Sequence, residues 1–506
     1  MDAADTAQAM AVVGALGAAL VLAGHHRWTL LAGLAALAVA EVGLVAAIAG
    51  HGLGELPGVR PATALLGVAA LVPLVALALL FVHRPALVTP LVLAAAPFRL
   101  PLDFGREHRY FVAVAESGQL GRLLPLYLVL GAAAVAFAIG LVRGAQPAPL
   151  PRALAWVTAA FLGFAALSLL WSSQVDAGAS LLAYFLLPFA LLVAVVGRAP
   201  FPSWASRALA AIAIALGCLF AAIGVWQAAT ERLLFFAPKL EVANTYGSIF
   251  RVTSLFRDPS LYGRHVVLAA AVVLVVLWLR RIHPFVAAGL LAVLWAGLYF
   301  SYSQSSFVAL AVVTVAVTLA AGDRPARRIV LVATVAAAVV GSAFLVSELQ
   351  DESARRVTSD RSRRVDVAAD VYRAFPVVGA GIGAQPAESQ ARSERFGPVE
   401  SFVSHTTPLT VAAELGTIGL ALYLALLATA AHALREVLRR DRALGLGLAA
   451  VMLGLIVHSL FYSGFIEDPI TWLVLAIAAS RLAVAPEGER QPAPVRSRRP
   501  DLVPAS

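Results

Sequence analysis

The residues best able to do chemistry stand at the start of one apolar stretch. His405 lies in Ser404-His405-Thr406-Thr407-Pro408, directly before Leu409-Thr410-Val411-Ala412-Ala413-Glu414-Leu415-Gly416-Thr417-Ile418-Gly419. Of the 10 histidines it is the one held between a cationic loop and a Pro-started apolar run. An unperturbed imidazole, with a pKa of about 6.5, suits a general base near neutral pH. The same position also suits an interfacial histidine that only contacts a helix start. Glu414 lies about two turns deeper; a carboxylate at membrane depth marks a site by default, with an outer arginine as its expected partner.

Arginines gather in two long connecting stretches. Residues 230–264 carry Arg232, Lys239, Arg251, Arg257 and Arg264; residues 348–407 carry Arg355, Arg356, Arg361, Arg363, Arg364, Arg373, Arg392 and Arg395. Any one of them reads as solvated surface. As a group they suggest an anionic ligand, and the planar guanidinium fork suits phosphate. Within the second stretch, 360–375 reads as an amphipathic helix. Arg363, Asp366, Asp370 and Arg373 form its salt-bridged outer face, while Arg361, Arg364, Ala368, Val371, Tyr372 and Phe375 lie on the other side. Pro376 stops this helix, and Gly379, Gly381 and Gly383 suggest a flexible turn after it. Glycines that follow a helix instead of a strand argue against a dinucleotide fold.

The elements that must position these residues are set by composition. Of 506 residues, 60% are hydrophobic and 13% charged, with a mean hydropathy of +0.85. That composition excludes a soluble enzyme and a disordered chain, and it specifies an all-α polytopic membrane protein. Apolar segments fall at 7–24, 28–50, 63–83, 85–98, 121–143, 153–171, 178–197, 204–229, 261–280, 283–300, 304–321, 326–347, 408–433, 443–464 and 468–485. They predict about 14–15 spans, the short Pro-containing segment 85–98 being either a span or re-entrant. Short loops punctuated by Arg27, Arg84, Arg143, Arg198, Arg280, Arg324 and Arg435–Arg442 are expected in the cytoplasm. The long cationic loop 348–407 is then outside. The domain expectation is a transmembrane domain over 1–485 and a disordered, basic, cytoplasmic tail over 486–506.

Other features exclude further chemistry. The only lysine is Lys239, so no phosphate-binding loop of the Gly-x-x-x-x-Gly-Lys type can form. The single Cys218 offers neither a disulfide nor a metal cluster. Membrane topology accounts for most of the net charge of +9, so nucleic acid is not an expected partner. The N-terminus lacks a basic signal region, so the first apolar run is expected to be retained.

At these residues the sequence resembles the O-antigen ligase and polymerase family of membrane glycosyltransferases. His405, Gly416 and Gly419 fall at the spacing of that family's signature, with Thr406 where Asn, Ser or Gln is usual. Arg251-Val252-Thr253-Ser254-Leu255-Phe256-Arg257-Asp258-Pro259-Ser260 is similar to the family's Arg-x-x-Gly-x-Phe-x-x-Pro-Asn, with Ser254 for Gly and Ser260 for Asn. Ser303-Gln304-Ser305-Ser306 stands where members often show Ser-Arg-Gly, and Arg361, Pro376 and Gly379-Ala380-Gly381 match Arg…Pro-x-x-Gly-x-Gly. The motifs cover about 240–425.

The resemblance implies a GT-C-like fold in the bacterial plasma membrane and a metal-independent, cofactor-free, inverting transfer on its outer face. The donor would be a glycan on undecaprenyl pyrophosphate, and the acceptor a glycan, lipid or protein hydroxyl. His405, Arg251 and Arg361 are the expected catalytic residues. Arg257, Arg264, Arg364, Glu414 and Gln304 are the expected substrate-binding ones, and a groove between helices would hold the lipid. A transporter or flippase is the competing reading; it would string ionisable residues through the spans, which here hold few beyond Glu41, Glu414 and His458. A non-catalytic scaffold, the third reading, would leave His405 dispensable.

Overall fold

Apolar runs with few internal breakers fold as helices here, and their ends fall where capping chemistry puts them. Asp258-Pro259, His283-Pro284 and Thr406-Thr407-Pro408 each open a helix with proline in the first turn. A computed structural model of the protein describes residues 2–50, 61–98, 123–234, 238–246, 249–256, 258–350, 361–392, 404 and 406–483. In chain order the helices are α1 (Ala3–Ala23), α2 (Arg27–Ile48), α3 (Pro61–His83), α4 (Val88–Ala95), α5 (Leu124–Val142), α6 (Arg152–Leu167), α7 (Val175–Leu181), α8 (Leu187–Val196), α9 (Ala205–Thr230) and α10 (Pro238–Tyr246). They continue with α11 (Pro259–Trp278), α12 (Pro284–Tyr299), α13 (Gln304–Ala321), α14 (Arg324–Gln350), α15 (Arg361–Ala374), α16 (Gln385–Arg392), α17 (Thr407–Arg440), α18 (Arg442–Ser459) and α19 (Pro469–Ala483). No strand occurs among the described residues. The chain is an all-helical polytopic membrane protein.

A helix stands at each of the fifteen apolar segments, but not all reach spanning length. Among the described residues ten are long and apolar enough to cross a membrane, or up to eleven if the bent pair Val68–His83 and Pro85–Ala95 counts as one. Of the fourteen to fifteen spans expected, the described helices account for ten to eleven. The fourth segment is the clearest case: the chain turns by 117° and α4 has eight residues. At 1.5 Å per residue it rises about 12 Å, under half of a hydrocarbon core of about 30 Å. Helices α12 and α19 are apolar and intermediate in length, at sixteen and fifteen residues.

Small residues let the first two helices approach closely. A Cβ on Gly17 would lie 2.8 Å from the Leu37 amide nitrogen, and one on Gly33 would lie 2.8 Å from that of Val21. A five-residue π turn at Leu182–Leu186 joins α7 to α8. The Tyr184 carbonyl in that turn accepts the Tyr127 hydroxyl from α5, as a polar group in an apolar interior requires.

The loops sort onto two ends of the bundle. At one end Arg198 donates to the Gly24 carbonyl (3.1 Å), Ser480 to Ala199 (2.7 Å), Arg440 to Leu482 (3.1 Å) and Ser206 to Asp441 (3.4 Å). Burial pushes the Arg198 guanidinium down to about 10 while it bonds the carbonyl end of α1. At the other end Gln8 meets the carbonyl of Leu169, and Ser172 donates to the Ile382 carbonyl (2.9 Å). The arginine-punctuated turns thus share an end with each other and oppose the segment around Gly379–Gly383.

Close approach of α1 and α2 should be intolerant of side-chain volume. Gly17→Val is expected to cost about 1–3 kcal/mol by overpacking. Gly163→Ala, whose Cβ would meet nothing within 4 Å, should be neutral or slightly stabilising. Thermal unfolding in detergent checks both; an unchanged midpoint for Gly17→Val would contradict the packing.

Candidate active site

The site is organised by a break in a membrane helix. Helix α17 runs Thr407–Arg440, but Gly416 leaves helical geometry, at φ 64° and ψ −164°. A break at this depth frees carbonyls before it and amides after it, and in an apolar setting both sets need partners. Residues 376–381 supply them as a strap laid across the break. Ala380 N–H donates to the Ala413 carbonyl (3.0 Å) and Gly381 N–H to that of Glu414 (2.9 Å). In return Thr417 N–H donates to the Pro376 carbonyl (2.8 Å) and Ile418 N–H to that of Val377 (3.2 Å). The Thr417 hydroxyl also donates to Pro376 and meets the Tyr372 hydroxyl, each at 2.8 Å.

This contact explains the glycines. Gly379, Gly381 and Gly383 have φ of 74°, 94° and 77°, the left-handed region that favours glycine. A Cβ on Gly379 would overlap the Glu414 carbonyl, and one on Gly416 would overlap that of Val377. The expected flexible turn is instead a packed strap with no room for a side chain at its three glycines. Its far side is held by Ser172, which donates to the Ile382 carbonyl, and by Ser168, whose Oγ accepts the Ile382 N–H at 3.1 Å. Helix α15 matches the amphipathic reading closely. Ala368 and Val371 are buried, Asp370 pairs with Arg373 on the solvent side (2.6 Å), and Val371 packs with Ala380, Ala384 and Ala413. Phe375 remains exposed under the Arg392 guanidinium.

Glu414 is buried beneath the strap, and its partners differ from the expected arginine. Among the described residues its carboxylate faces the backbone amides of Gly383 and Gln385, the latter at 3.4 Å, with Glu467 in Coulombic range. The Gln385 side chain carries the connection onward: its amide donates to Ser389 (2.7 Å) and its carbonyl accepts the Ser404 N–H (3.1 Å). Ser404, fully buried, accepts the Thr406 N–H at 3.2 Å and donates to the Thr406 carbonyl at 3.0 Å. The residues on both sides of position 405 are therefore tied to Glu414 through Gln385. His405 lies outside the described residues, as does Arg257. Nearby, burial works against the Glu388 carboxylate, but hydrogen bonds from Arg392 and Ser173 and the Arg392 charge outweigh it and hold its pKa low.

Arg251 belongs to a second, adjoining layer. Its Nε donates to the Ser301 carbonyl (3.3 Å), and Val252 N–H donates to that of Phe300 (3.1 Å), so its loop lies against the α12–α13 turn. Asn244 clamps the Arg251 backbone from both sides, at 3.0 Å each way. Gln227 does the same to the next residues, accepting Thr253 and Ser254 N–H and donating to the Ser254 carbonyl. Ser254 has φ 52°, so the position where the resembling family carries glycine keeps a left-handed backbone here, held by Gln227 and by its own bond to the Phe220 carbonyl (2.8 Å). Burial lowers the Arg251 pKa, with the Asp258 charge acting in the opposite sense. Asp258 itself caps α11 through Ser260 and Leu261. Arg251 is thus a partly desolvated cation with no carboxylate bonded to it among the described residues, the state in which an anionic ligand gains most.

Arg264 is placed differently from the outer-loop cation expected. It lies inside α11, 2% exposed, and its guanidinium pairs with Asp468 at 2.6 Å and donates to the Gly464 carbonyl at 3.0 Å. Its Nε reaches His458 Nδ1 at 3.3 Å; His458 Nε2 meets Ser305 Oγ at 3.1 Å, and Ser305 meets Ser303 at 3.1 Å. This buried relay ties the α18–α19 turn to the Ser303–Ser306 stretch, which follows the Ser301 carbonyl on which Arg251 rests. Asp468, Gln227, Gln385 and Ser404 were not singled out from sequence. Asp468 and Gln227 carried a signal nonetheless, as polar residues bordering or within apolar runs. Gln304 is exposed at the first position of α13, and Arg364 is half-buried on α15. Arg361 begins α15, its side chain lying outside the description. No group of three or more His, Cys, Asp or Glu among the described residues is placed to hold a metal.

The interlock should be sensitive at Gly379. Gly379→Ala is expected to cost more than about 2 kcal/mol, from the left-handed backbone and the overlap with Glu414. Val378→Ala, at an exposed neighbour, should be near neutral. Limited proteolysis of 376–392 and unfolding midpoints in detergent check the pair; equal behaviour of the two variants would contradict the interlock.

Comparison with known proteins adds one finding. Residues 287–424 match the family model described as O-Antigen ligase. That stretch contains the Ser303–Ser306 turn, α15, the strap and the Gly416 break, and it excludes the Arg251 loop. The match supports the O-antigen ligase family and, with it, a membrane glycosyltransferase of the ligase or polymerase type. None of the curated proteins matches the chain.

Proposed function

We propose that this chain, with its O-antigen ligase family stretch at 287–424, transfers a glycan from an undecaprenyl-pyrophosphate carrier to an acceptor hydroxyl on the outer face of the bacterial plasma membrane. The observation that carries the reading is the anchoring of Ser404 and Thr406, the residues flanking His405, to the Gln385–Glu414 pair beneath the strap. A general base has to be held in place, and these bonds hold the backbone on both sides of it. His405 takes the proton of the acceptor hydroxyl as its oxygen attacks the anomeric carbon. The bond from that carbon to the carrier's phosphate oxygen breaks, and the pyrophosphate leaves with added negative charge and the configuration inverted.

Cations already in place at the leaving group stabilise the transition state more than the ground state. Arg251, with Arg361 at the start of α15, takes this role. Arg264 supports the site from beneath through Asp468 and His458. The activated donor supplies the driving force. The clustering of arginine-rich turns at the opposite end supports, by the positive-inside rule, an outer position for the strap. A transporter would turn its broken half-helices toward a cavity; here the break in α17 is closed by backbone bonds from the strap, which favours the transferase.

Purified protein incubated with lipid-linked oligosaccharide and candidate acceptors should release undecaprenyl pyrophosphate. A ladder of products without a second acceptor indicates a polymerase, and single transfer to an added acceptor a ligase. His405→Ala should fold and bind donor but lose about 10²–10⁴ in turnover. A base works deprotonated, so the wild-type rate should fall as pH drops below the imidazole pKa, and the variant's residual rate should lose that dependence. Arg251→Lys should also turn over slowly, since an ammonium cannot reproduce the bidentate fork. Normal turnover in purified His405→Ala would overturn the general-base role.

A further inference from the structure

We propose that a groove at the arginine-rich end of the bundle binds an anionic phospholipid, with its phosphate between Arg207 and Arg281 and an acyl chain running inward. The groove encloses about 810 Å³ between α4, α9, α11, α18 and α19. Along α11 its wall runs from His265 to Val276 and continues to Arg281, a depth of roughly 20 Å at 1.5 Å per helical residue. That suits one extended acyl chain. Apart from His265 at the deep end, the polar lining sits at the mouth: Ser203, Ser206, Arg207, Arg281 and Asp441.

Charge at the mouth selects the ligand. Arg207 and Arg281 are exposed and make no side-chain hydrogen bond or ion pair with any described residue. The neighbouring carboxylate, Asp441, is occupied by Leu444 N–H (3.1 Å) and the Ser206 hydroxyl. Two exposed guanidinium groups against one hydrogen-bonded carboxylate leave the mouth net positive above an apolar channel, which suits a phosphate carrying a hydrocarbon tail. The carrier lipid of the transfer reaction fits less well. Its phosphate would lie at the opposite end of the bundle from the strap. The assignment does not rest on the transfer reading.

One position on the wall makes the idea testable without disturbing the fold. A Cβ on Gly447 would meet nothing within 4 Å, so a larger side chain there points into free space of the groove. The groove's deep end is closed by Phe220 and His265, whose rings contact Phe256 of the Arg251 loop at 5.1 and 4.7 Å. A bound chain would therefore buttress that loop from below.

Native mass spectrometry of the full chain, titrated with phosphatidylglycerol or phosphatidylcholine, tests the proposal. Phosphatidylglycerol should bind more tightly, and the double variant Arg207→Gln/Arg281→Gln should weaken it about 25-fold, about fivefold per arginine. Gly447→Leu should reduce binding of both lipids while leaving the melting temperature of the delipidated protein unchanged. Inorganic phosphate and glycerol phosphate should bind far more weakly than the lipid. Equal affinity for the two lipids, or unaltered binding in either variant, would overturn the proposal. So would inorganic phosphate binding as tightly as lipid, which would mean a free-anion site. Displacement of phosphatidylglycerol by equimolar undecaprenyl phosphate would assign the groove to the carrier and equally overturn it.

Discussion

A helix interrupted inside a membrane must satisfy its freed backbone groups from somewhere, and the arrangement at Gly416 follows from that requirement. The strap at 376–381 completes four hydrogen bonds across the break, two in each direction. To come so close it has to be nearly bare of side chains where it crosses, which sets glycine at Gly379 and Gly416. Once the strap is seated, α15 lies over it, α16 follows from it, and Gln385 at the head of α16 reaches both Glu414 and Ser404. Positioning of the segment around His405 is thus a consequence of repairing a broken helix.

A second constraint comes from charge burial. Arg264 and Asp468 are both removed from water, and such a pair persists only when the remaining donors are also satisfied. Here Gly464 and His458 complete the set, and His458 passes the connection to the serines at the start of α13. The turn joining α18 to α19 consequently serves both halves of the site: Asp468 holds Arg264, while Glu467 lies within electrostatic reach of Glu414. Arg251 stands apart from this compensated network, anchored through its backbone by Asn244 with its guanidinium resting on Ser301.

Local patterns in the sequence translated well. The helix read over 360–375 appears at Arg361–Ala374 with its solvent-side pair Asp370–Arg373 in place, because those contacts are set by helical spacing alone. Asp258-Pro259 and His283-Pro284 mark helix starts for the same reason. What was hidden depends on distant partners. The glycines of 379–383 suggest flexibility when read locally; their rigidity is imposed by residues 413–418 and 168–178. Glu414 drew an arginine as its expected partner from charge, but among the described residues its carboxylate faces backbone amides more than two dozen residues away. Arg264 read as an outer cation because Asp468 is some two hundred residues further along. Helix length was hidden too, because apolarity does not report it: α4, α12 and α19 are as apolar as their neighbours but have eight, sixteen and fifteen residues.

The family match and the geometry converge on one stretch, since 287–424 holds the strap, the break and the residues around His405. The central claim is that a rigid interlock, and not a mobile loop, carries the transfer chemistry. Hydrogen exchange on the purified protein tests this most directly. The amides of Ala380, Gly381, Thr417 and Ile418 belong to a loop and a helix break, yet each is paired across the interlock. They should exchange as slowly as the interior of α17, with protection that persists when no substrate is bound. Exchange of these four amides at the rate of an unstructured chain would contradict the account.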